Sequence, residues 1–409
     1  MTAGQPETAR LPDAPWQHKA GMDGLLEALD ARSGMVRFVG GAVRDTMLGL
    51  AVQDVDIATA LSPQDVLDRL KAAGIKAIPT GIDHGTITAV IAGDAVEITT
   101  LRRDVSTDGR RATVAYTDDW REDAARRDFT INALYADPAS GAISDYFGGL
   151  SDLEARRVRF IGGAADRIAE DHLRILRYFR FLARYGDGDP DEEAYRACMA
   201  HANSLMALSR ERIADELMKL LAVANPAPAL RLMVEGGILA AVLPEIDAAG
   251  VAALDRTVAR EAEAGVAPSP LRRLCALVPP DMAVADAIAA RLKLSNKARK
   301  RIALALGPPV TAPSSQALAY RIGAEAAIDR CLLDPAANLA IVHTLTDWRR
   351  PALPIGGGAL IARGLPPGPD VAKALSAVEE QWIEEGFPDP GRIDAIADQI
   401  VSKFQRARQ

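Results

Sequence analysis

The chain has 409 residues, more than one hydrophobic core usually serves, and its 49% hydrophobic and 25% charged content is that of folded globular protein. A formal charge of −7 gives no uniform basic coat for nucleic acid, and no run of 18 or more apolar residues offers a membrane span. Cys198, Cys275 and Cys331 are widely spaced, the five histidines are scattered and no His-Asp dipeptide occurs, which excludes a disulfide framework, a zinc cluster and a hydrolase of the His-Asp type. Catalysis must then come from carboxylates and arginines.

Residues 1–30 read as a loosely held extension ending in one helix, without a basic-then-apolar leader, so a cytoplasmic protein is expected. From 31 to 150 short β-type runs ("MVRFVGG", "DVDIAT", "TITAVIA", "AVEITTL") alternate with helical patterns, and "SPQDVLDRLKAAG" predicts a helix capped by Ser62 with proline in its first turn. The polar run "RRDVSTDGRRATVAYTDDW" (102–120) predicts a mobile loop. After about 150 the strand signal fades. A neck over 151–223 and a body and tail over 224–409 carry the 3.6-residue period, in "DHLRILRYFRFLARYG", "SRERIADELMKLLAV", "PALRLMVEGGILAAVLP" and "VADAIAARLKLSNKARKRIALAL". The expected fold is α+β: a head with a mixed β-sheet and helices, followed by an all-α neck, body and tail.

Within the head, "FVGGAVRDTMLGLAVQDVDIAT" (38–59) joins a double glycine to an Asp-x-Asp pair. Alternation along a strand puts Asp54 and Asp56 on one face, with Val55 and Ile57 on the other. Two hard oxygen ligands suit Mg²⁺, which binds through a few carboxylates plus substrate phosphates. Glu97 in "AVEITTL" is a candidate third carboxylate. Taken alone, Asp-x-Asp is more often the pattern of a solvated strand edge. Gly40 and Gly41 permit a tight turn into a helix whose amides can hold phosphate, and Arg44 stands in its first turn, within reach of a triphosphate oxygen.

Between Arg156 and Arg184 eight arginines face three acids, a local net +5. Placing residues at ~100° intervals puts Asp171, Arg174, Arg177 and Arg180 on one side of a helix, opposite Ile175, Leu176, Phe179 and Leu182. Cytosine and adenine both present an amino donor beside a ring-nitrogen acceptor. A carboxylate from Asp171 can accept from the first and a guanidinium from Arg174 can donate to the second. Uracil and guanine invert the pattern, at about 1–3 kcal/mol for each buried mismatch. Without context, a solvated face with an Asp-to-Arg pair reads as well.

The segment "GGAVRDTMLGLAVQDVDIAT" resembles the head signature of the DNA polymerase β superfamily of nucleotidyltransferases, specifically the CCA-adding enzymes and bacterial poly(A) polymerases. "ARRDFTINAL" (125–134) and "EDHLRILRYFRFLARY" (170–185) resemble later motifs of the class II branch, and the likeness spans roughly 34–222. It implies metal-assisted, template-independent addition of C, C and A to the 3′ end of tRNA from CTP and ATP, with pyrophosphate released. In that family Asp54 and Asp56 would be the catalytic and Mg²⁺-holding carboxylates. Gly41, Arg44, Arg127, Asp171, Arg174, Arg177 and Arg180 would bind the nucleotide. Asp128 and Asn132 would position the ribose or a loop, "TIN" being as readily plain packing. The 102–120 segment would help the switch from C to A addition and has full length here. Glu211, Arg212 and Glu216 would brace the neck, and the tail would meet tRNA. Its basic cluster "LKLSNKARKR" is equally well explained as a helix terminus. A poly(A) polymerase or a CC-only or A-only enzyme shares these motifs, although an isoelectric point near 5.4 favours CCA addition. From another class, a non-catalytic RNA-binding protein would keep the fold without needing the intact Asp-x-Asp.

Overall fold

The computed structural model describes residues 9–108 and 111–407, which divide after Pro244 into two compact units. The first unit holds nine strands: β1 (Val36–Val39), β2 (Val55–Thr59), β3 (Lys76–Gly81), β4 (Thr86–Ile91), β5 (Asp94–Thr100), β6 (Arg102–Asp108), β7 (Arg111–Tyr116), β8 (Leu134–Ala136) and β9 (Ile143–Asp145). Seven form one mixed sheet in the order β3-β4-β5-β2-β1-β8-β9, in which β2 and β5 run parallel and the other neighbours antiparallel. The β3 strand carries Pro79 at an irregularity in its ladder, and it is an edge strand, where a missing N–H costs no central pairing. Alternation holds in β2: Val55 and Ile57 are buried while Asp56 is half-buried. The helix Pro63–Ala72 starts as its sequence dictates, with Ser62 accepting the Asp65 N–H.

Two expectations are corrected in this unit. The segment expected to be a mobile loop contains β6 and β7, an antiparallel hairpin with its own ladder from Arg102↔Tyr116 to Asp108↔Arg111; residues 109 and 110 lie outside the described residues. Its polar composition hid the pairing, because backbone hydrogen bonds need no apolar face. The extension expected to be loosely held is anchored from its tenth residue. Arg10 bridges to Ala142, and buried Trp16 packs edge-on against Phe38 and donates to Thr46 Oγ1 at 2.9 Å.

Helices follow the sheet. Ala164–Glu170, Arg174–Tyr185 and Arg210–Leu221 carry the arginine-rich segment and its brace, the last capped by Ser209 as expected. The second unit is helical, from Ala248–Glu263 to Pro390–Arg406, with a core that includes Leu360, Val378, Trp382 and Ile396. The periodic run over 284–306 falls in two helices, Met282–Arg291 and Asn296–Leu306. Lys293 adopts a left-handed φ of 51° between them and Ser295 caps the second helix, so local cap chemistry overrides the continuous period. Among the described residues no helix is long and apolar enough to cross a membrane.

Candidate functional site

The site begins at the end of β1. Gly40 takes φ 68° and ψ −119°, a conformation that suits glycine, and a Cβ there would stand 3.5 Å from Arg127 Nη1 and 3.7 Å from the Asn132 carbonyl. The turn starts the helix Gly41–Met47. Arg44 of that helix, expected in reach of phosphate, stands behind the turn instead: its side chain is 7% exposed, donates to Asp45 Oδ1 at 2.8 Å and to Asn132 Oδ1, and lies 4.1 Å over the Tyr185 ring. Its charge backs the cleft wall without lining it.

Asp54 is exposed just before β2, and Asp56 on β2 is registered against Glu97 of the parallel β5. Burial, then the neighbouring Glu97 charge, pushes the Asp56 carboxyl up to about 6, partly offset by Arg127 and Arg44. Among the described residues neither Asp54 nor Asp56 has a hydrogen-bond or ion-pair partner for its carboxylate. The fully buried acids described in the first unit each have one: Asp45 with Arg44, Asp123 with Arg126 and Arg127, Asp128 with Arg177, Asp152 with Arg157 and Arg159, Glu216 with Arg180. Asp56, a carboxylate left unpaired among arginines with Asp54 two residues before it, offers oxygens suited to a hard cation. Among the described residues no group of three or more His, Cys, Asp or Glu side chains is placed to hold a metal ion.

The arginine-rich helix runs from Arg174, not from Asp171. Asp171 ends the preceding helix in extended conformation (φ −150°, ψ 106°), so the expectation that it shares a helical face with the three arginines is corrected. Its Oδ1 accepts the Leu173 N–H at 3.1 Å and its Oδ2 accepts from Arg212 at 2.7 Å. Arg174 pairs with Glu170 at 2.6 Å and donates to the Arg167 carbonyl at 2.9 Å, rather than pairing with Asp171. Arg177 binds Asp128 (Nε to Oδ2, 2.8 Å). Burial alone would raise the Asp128 carboxyl, but the Arg177 charge and the Asn132 and Phe129 donors hold it below the usual range. Arg180 turns away to Glu216 at 2.6 Å.

Six expected residues, Gly41, Asp56, Arg127, Asp171, Arg174 and Arg177, line one cleft of about 380 Å³ with Gly40, Arg126, Asp128 and Asn132. Asp54, Arg44 and Arg180 do not line it. "TIN" divides between its two readings: Thr130 donates to buried Asp152 and Ile131 is 1% exposed, whereas Asn132 faces the cleft and donates to Asp128. Arg212 and Glu216, read as braces, hold Asp171 and Arg180. Sequence reasoning missed Arg126, Asp123 and Glu170. The signal was present, since Asp123–Arg126, Asp123–Arg127 and Glu170–Arg174 are i,i+3 or i,i+4 pairs.

Residues 36–159 match the family model described as poly A polymerase head domain, and residues 189–249 match that described as probable RNA and SrmB-binding site of polymerase A. The chain is 35% identical to the Mus musculus protein named CCA tRNA nucleotidyltransferase 1, mitochondrial, over 90% of this chain and 87% of that one. It is 32% identical to the CCA-adding enzyme of Latilactobacillus sakei over 89% of this chain and 94% of that one. Among solved structures, the Bacillus stearothermophilus CCA-adding enzyme in complex with CTP is similar with a TM-score of 0.74 and 27% identity, over 95% of this chain and 99% of that chain.

Proposed function

The chain belongs to the CCA-adding tRNA nucleotidyltransferase family built on the poly(A) polymerase head domain, and from that premise we propose that it adds C, C and A to the 3′ end of tRNA. CTP and ATP are the donors, no nucleic-acid template is used, and pyrophosphate leaves. The observation that carries the reading is the single cleft in which an unpaired carboxylate, Asp56, meets a set of arginines and Asp171. Asp54 and Asp56 would hold Mg²⁺, which when bound supplies Lewis acidity at a phosphoryl oxygen and offsets charge on the leaving pyrophosphate.

The remaining roles belong to the chain's own groups. Gly40 and Gly41 let the backbone approach the phosphates, Arg127 donates to them, and Arg44 adds positive charge from behind. Asp171 and Arg174 read the base edge. Each already holds a protein partner, Arg212 and Glu170, so an incoming base exchanges one hydrogen bond for another instead of filling an empty slot. Arg177, fixed by Asp128, completes the nucleotide side, while Arg180, held by Glu216 outside the cleft, braces the helix that carries Arg174 and Arg177. The β6–β7 hairpin lies in the segment that the family resemblance ties to the switch from C to A addition, which favours full CCA addition over CC-only addition.

The test is incubation of tRNA lacking its 3′ CCA with CTP and ATP, separately and together, in Mg²⁺. A product that stops at three added residues, C, C and A, is expected. Long A tails would replace the reading with a poly(A) polymerase, a product arrested at two C residues with a CC-adding enzyme, and no pyrophosphate release with a binding protein.

A further inference from the structure

We propose that Asp123 is a positioning residue that ties the first strand of the β6–β7 hairpin to the cleft residue Arg127, so that nucleotide binding and hairpin conformation are coupled through one buried carboxylate. The inference rests on the reading of Arg127 as a nucleotide ligand.

The helix that carries it, Trp120–Ala125, follows β7 by only a few residues, and its start is fixed by Asp119, whose side chain accepts the Arg121 N–H at 2.7 Å. This directs Asp123 inward, where its side chain is 1% exposed. Its two oxygens serve different parts of the head. Oδ1 accepts the backbone N–H of Arg102, the first residue of β6, at 3.2 Å and Arg126 Nε at 2.8 Å. Oδ2 accepts the Tyr135 hydroxyl at 2.6 Å and Arg127 Nη2 at 3.2 Å. The same hydroxyl accepts from Arg127 Nε at 3.0 Å, closing a three-membered ring of hydrogen bonds around the guanidinium. Burial would raise the Asp123 carboxyl, but the charges of Arg127 and Arg126 and the Tyr135 hydrogen bond hold it below its ordinary value, so it stays ionised.

A carboxylate needed only to neutralise two arginines has no reason to reach a hairpin backbone. Here the atom that anchors β6 and the atom that aims Arg127 share one rigid plane. A rotation of that plane that improves one set of bonds strains the other. Phosphate drawing on Arg127 therefore pulls on the Arg102 amide, and a shift of the hairpin root changes the aim of Arg127.

The experiment uses the full chain with Asp123→Asn, which keeps the shape but turns one acceptor into a donor, Tyr135→Phe, which removes only the hydroxyl, and Arg127→Ala. KM and kcat for CTP are measured on tRNA lacking CCA, and amide hydrogen exchange at Arg102 is followed with and without CTP. Expected are a KM raised on the order of 10-fold in Asp123→Asn and less in Tyr135→Phe, with kcat changed less than KM. A CTP-dependent change in Arg102 exchange is expected in the unsubstituted protein and is lost in Asp123→Asn. Unchanged KM in a folded Asp123→Asn, or Arg102 exchange indifferent to CTP in the unsubstituted protein, overturns the proposal. If Asp123→Asn does not fold, Tyr135→Phe decides, and an unchanged KM there overturns it as well. The parent reading fails separately: Arg127→Ala would then leave KM untouched, whereas failure of the coupling alone leaves Arg127→Ala impaired and Asp123→Asn normal.

Discussion

One arginine–carboxylate cluster in the first unit and one in the second differ in whether anything else can reach them. In the second unit Arg272 and Arg273 grip Glu261 at 2.6 and 2.8 Å, while Arg272 and Arg301 share Asp329 at 2.8 and 2.7 Å. The side chains of Arg272, Arg273, Glu261 and Asp329 are only 1–6% exposed. In the first unit the pairs Arg177–Asp128, Arg174–Glu170 and Arg212–Asp171 have similar lengths, but Arg177, Glu170, Asp171 and Arg212 are 27–31% exposed, and four of the six residues, Asp128, Asp171, Arg174 and Arg177, line the open cleft. The same chemistry thus makes a closed strut in one place and an exchangeable set of partners in the other. A buried pair is costly to break and offers nothing to a ligand; a partly wet pair loses little when a base or phosphate takes a partner's place. The open cluster shares its cleft with Asp56, a carboxylate that has no partner, and that juxtaposition separates a site from a brace.

The contrast can be broken most directly at the unpaired carboxylates. Asp54→Ala and Asp56→Ala should each lower the rate of C and A incorporation by roughly three to four orders of magnitude with folding intact, checked by single-turnover addition beside a thermal melt. Activity within tenfold of the unsubstituted protein would remove these residues from the chemistry. Next in size is the closed cluster. Arg273→Met leaves Glu261 without one of its buried partners and should cost about 3–5 kcal/mol of stability, while KM for CTP stays unchanged at temperatures where the variant is folded. A selective rise in KM without loss of stability would erase the distinction between the two clusters.

What was legible in the sequence follows the same division between local and long-range physics. Strands β1, β2, β4 and β5 and the helix Pro63–Ala72 could be read because alternation and a Ser-Pro start are local. The three-residue strands β8 and β9 are too short to show a period, and β3 carries a proline that speaks against a strand until the edge position is known. Within the site, the glycine turn and the acidic pair were visible as residue types at fixed spacing. The partners of the arginines were not. Arg177 finds Asp128 across 49 residues, Arg212 finds Asp171 across 41 and Arg180 finds Glu216 across 36, distances that only packing closes. Asp171 was misplaced onto the helix because an angular projection carries no mark for where the first helical hydrogen bond forms.

A smaller effect sharpens the idea that open pairs are exchangeable. Arg174→Ala removes the donor proposed to meet a ring nitrogen and leaves Glu170 with Arg167. Discrimination of CTP and ATP against UTP and GTP should fall by roughly 10- to 100-fold, the equivalent of about 1–3 kcal/mol, in a competition assay with all four triphosphates. Undiminished discrimination would mean that the base is read elsewhere.

The smallest expected effect distinguishes a carboxylate without a partner from one that has an arginine. Asp56 has its pKa raised from 3.8 to about 6, so its contribution to stability is fully present below about 3.8 and is lost as pH rises through about 6. Asp128, held low beside Arg177, has the opposite sign: its contribution is present above the ordinary carboxylate value and is lost as pH falls through its depressed one. Without metal, Asp56→Asn should therefore be more stable than the unsubstituted protein near neutral pH, by about 1–2 kcal/mol, with the two converging as the solution is acidified. Added Mg²⁺ should stabilise the unsubstituted protein near neutral pH, less so below about pH 6, where a proton must leave before the cation binds, and should leave Asp56→Asn nearly unmoved. Paired thermal melts across that range read both signs at once. Equal metal-free stability of the two proteins at neutral pH would show that Asp56 is not a carboxylate waiting for a cation.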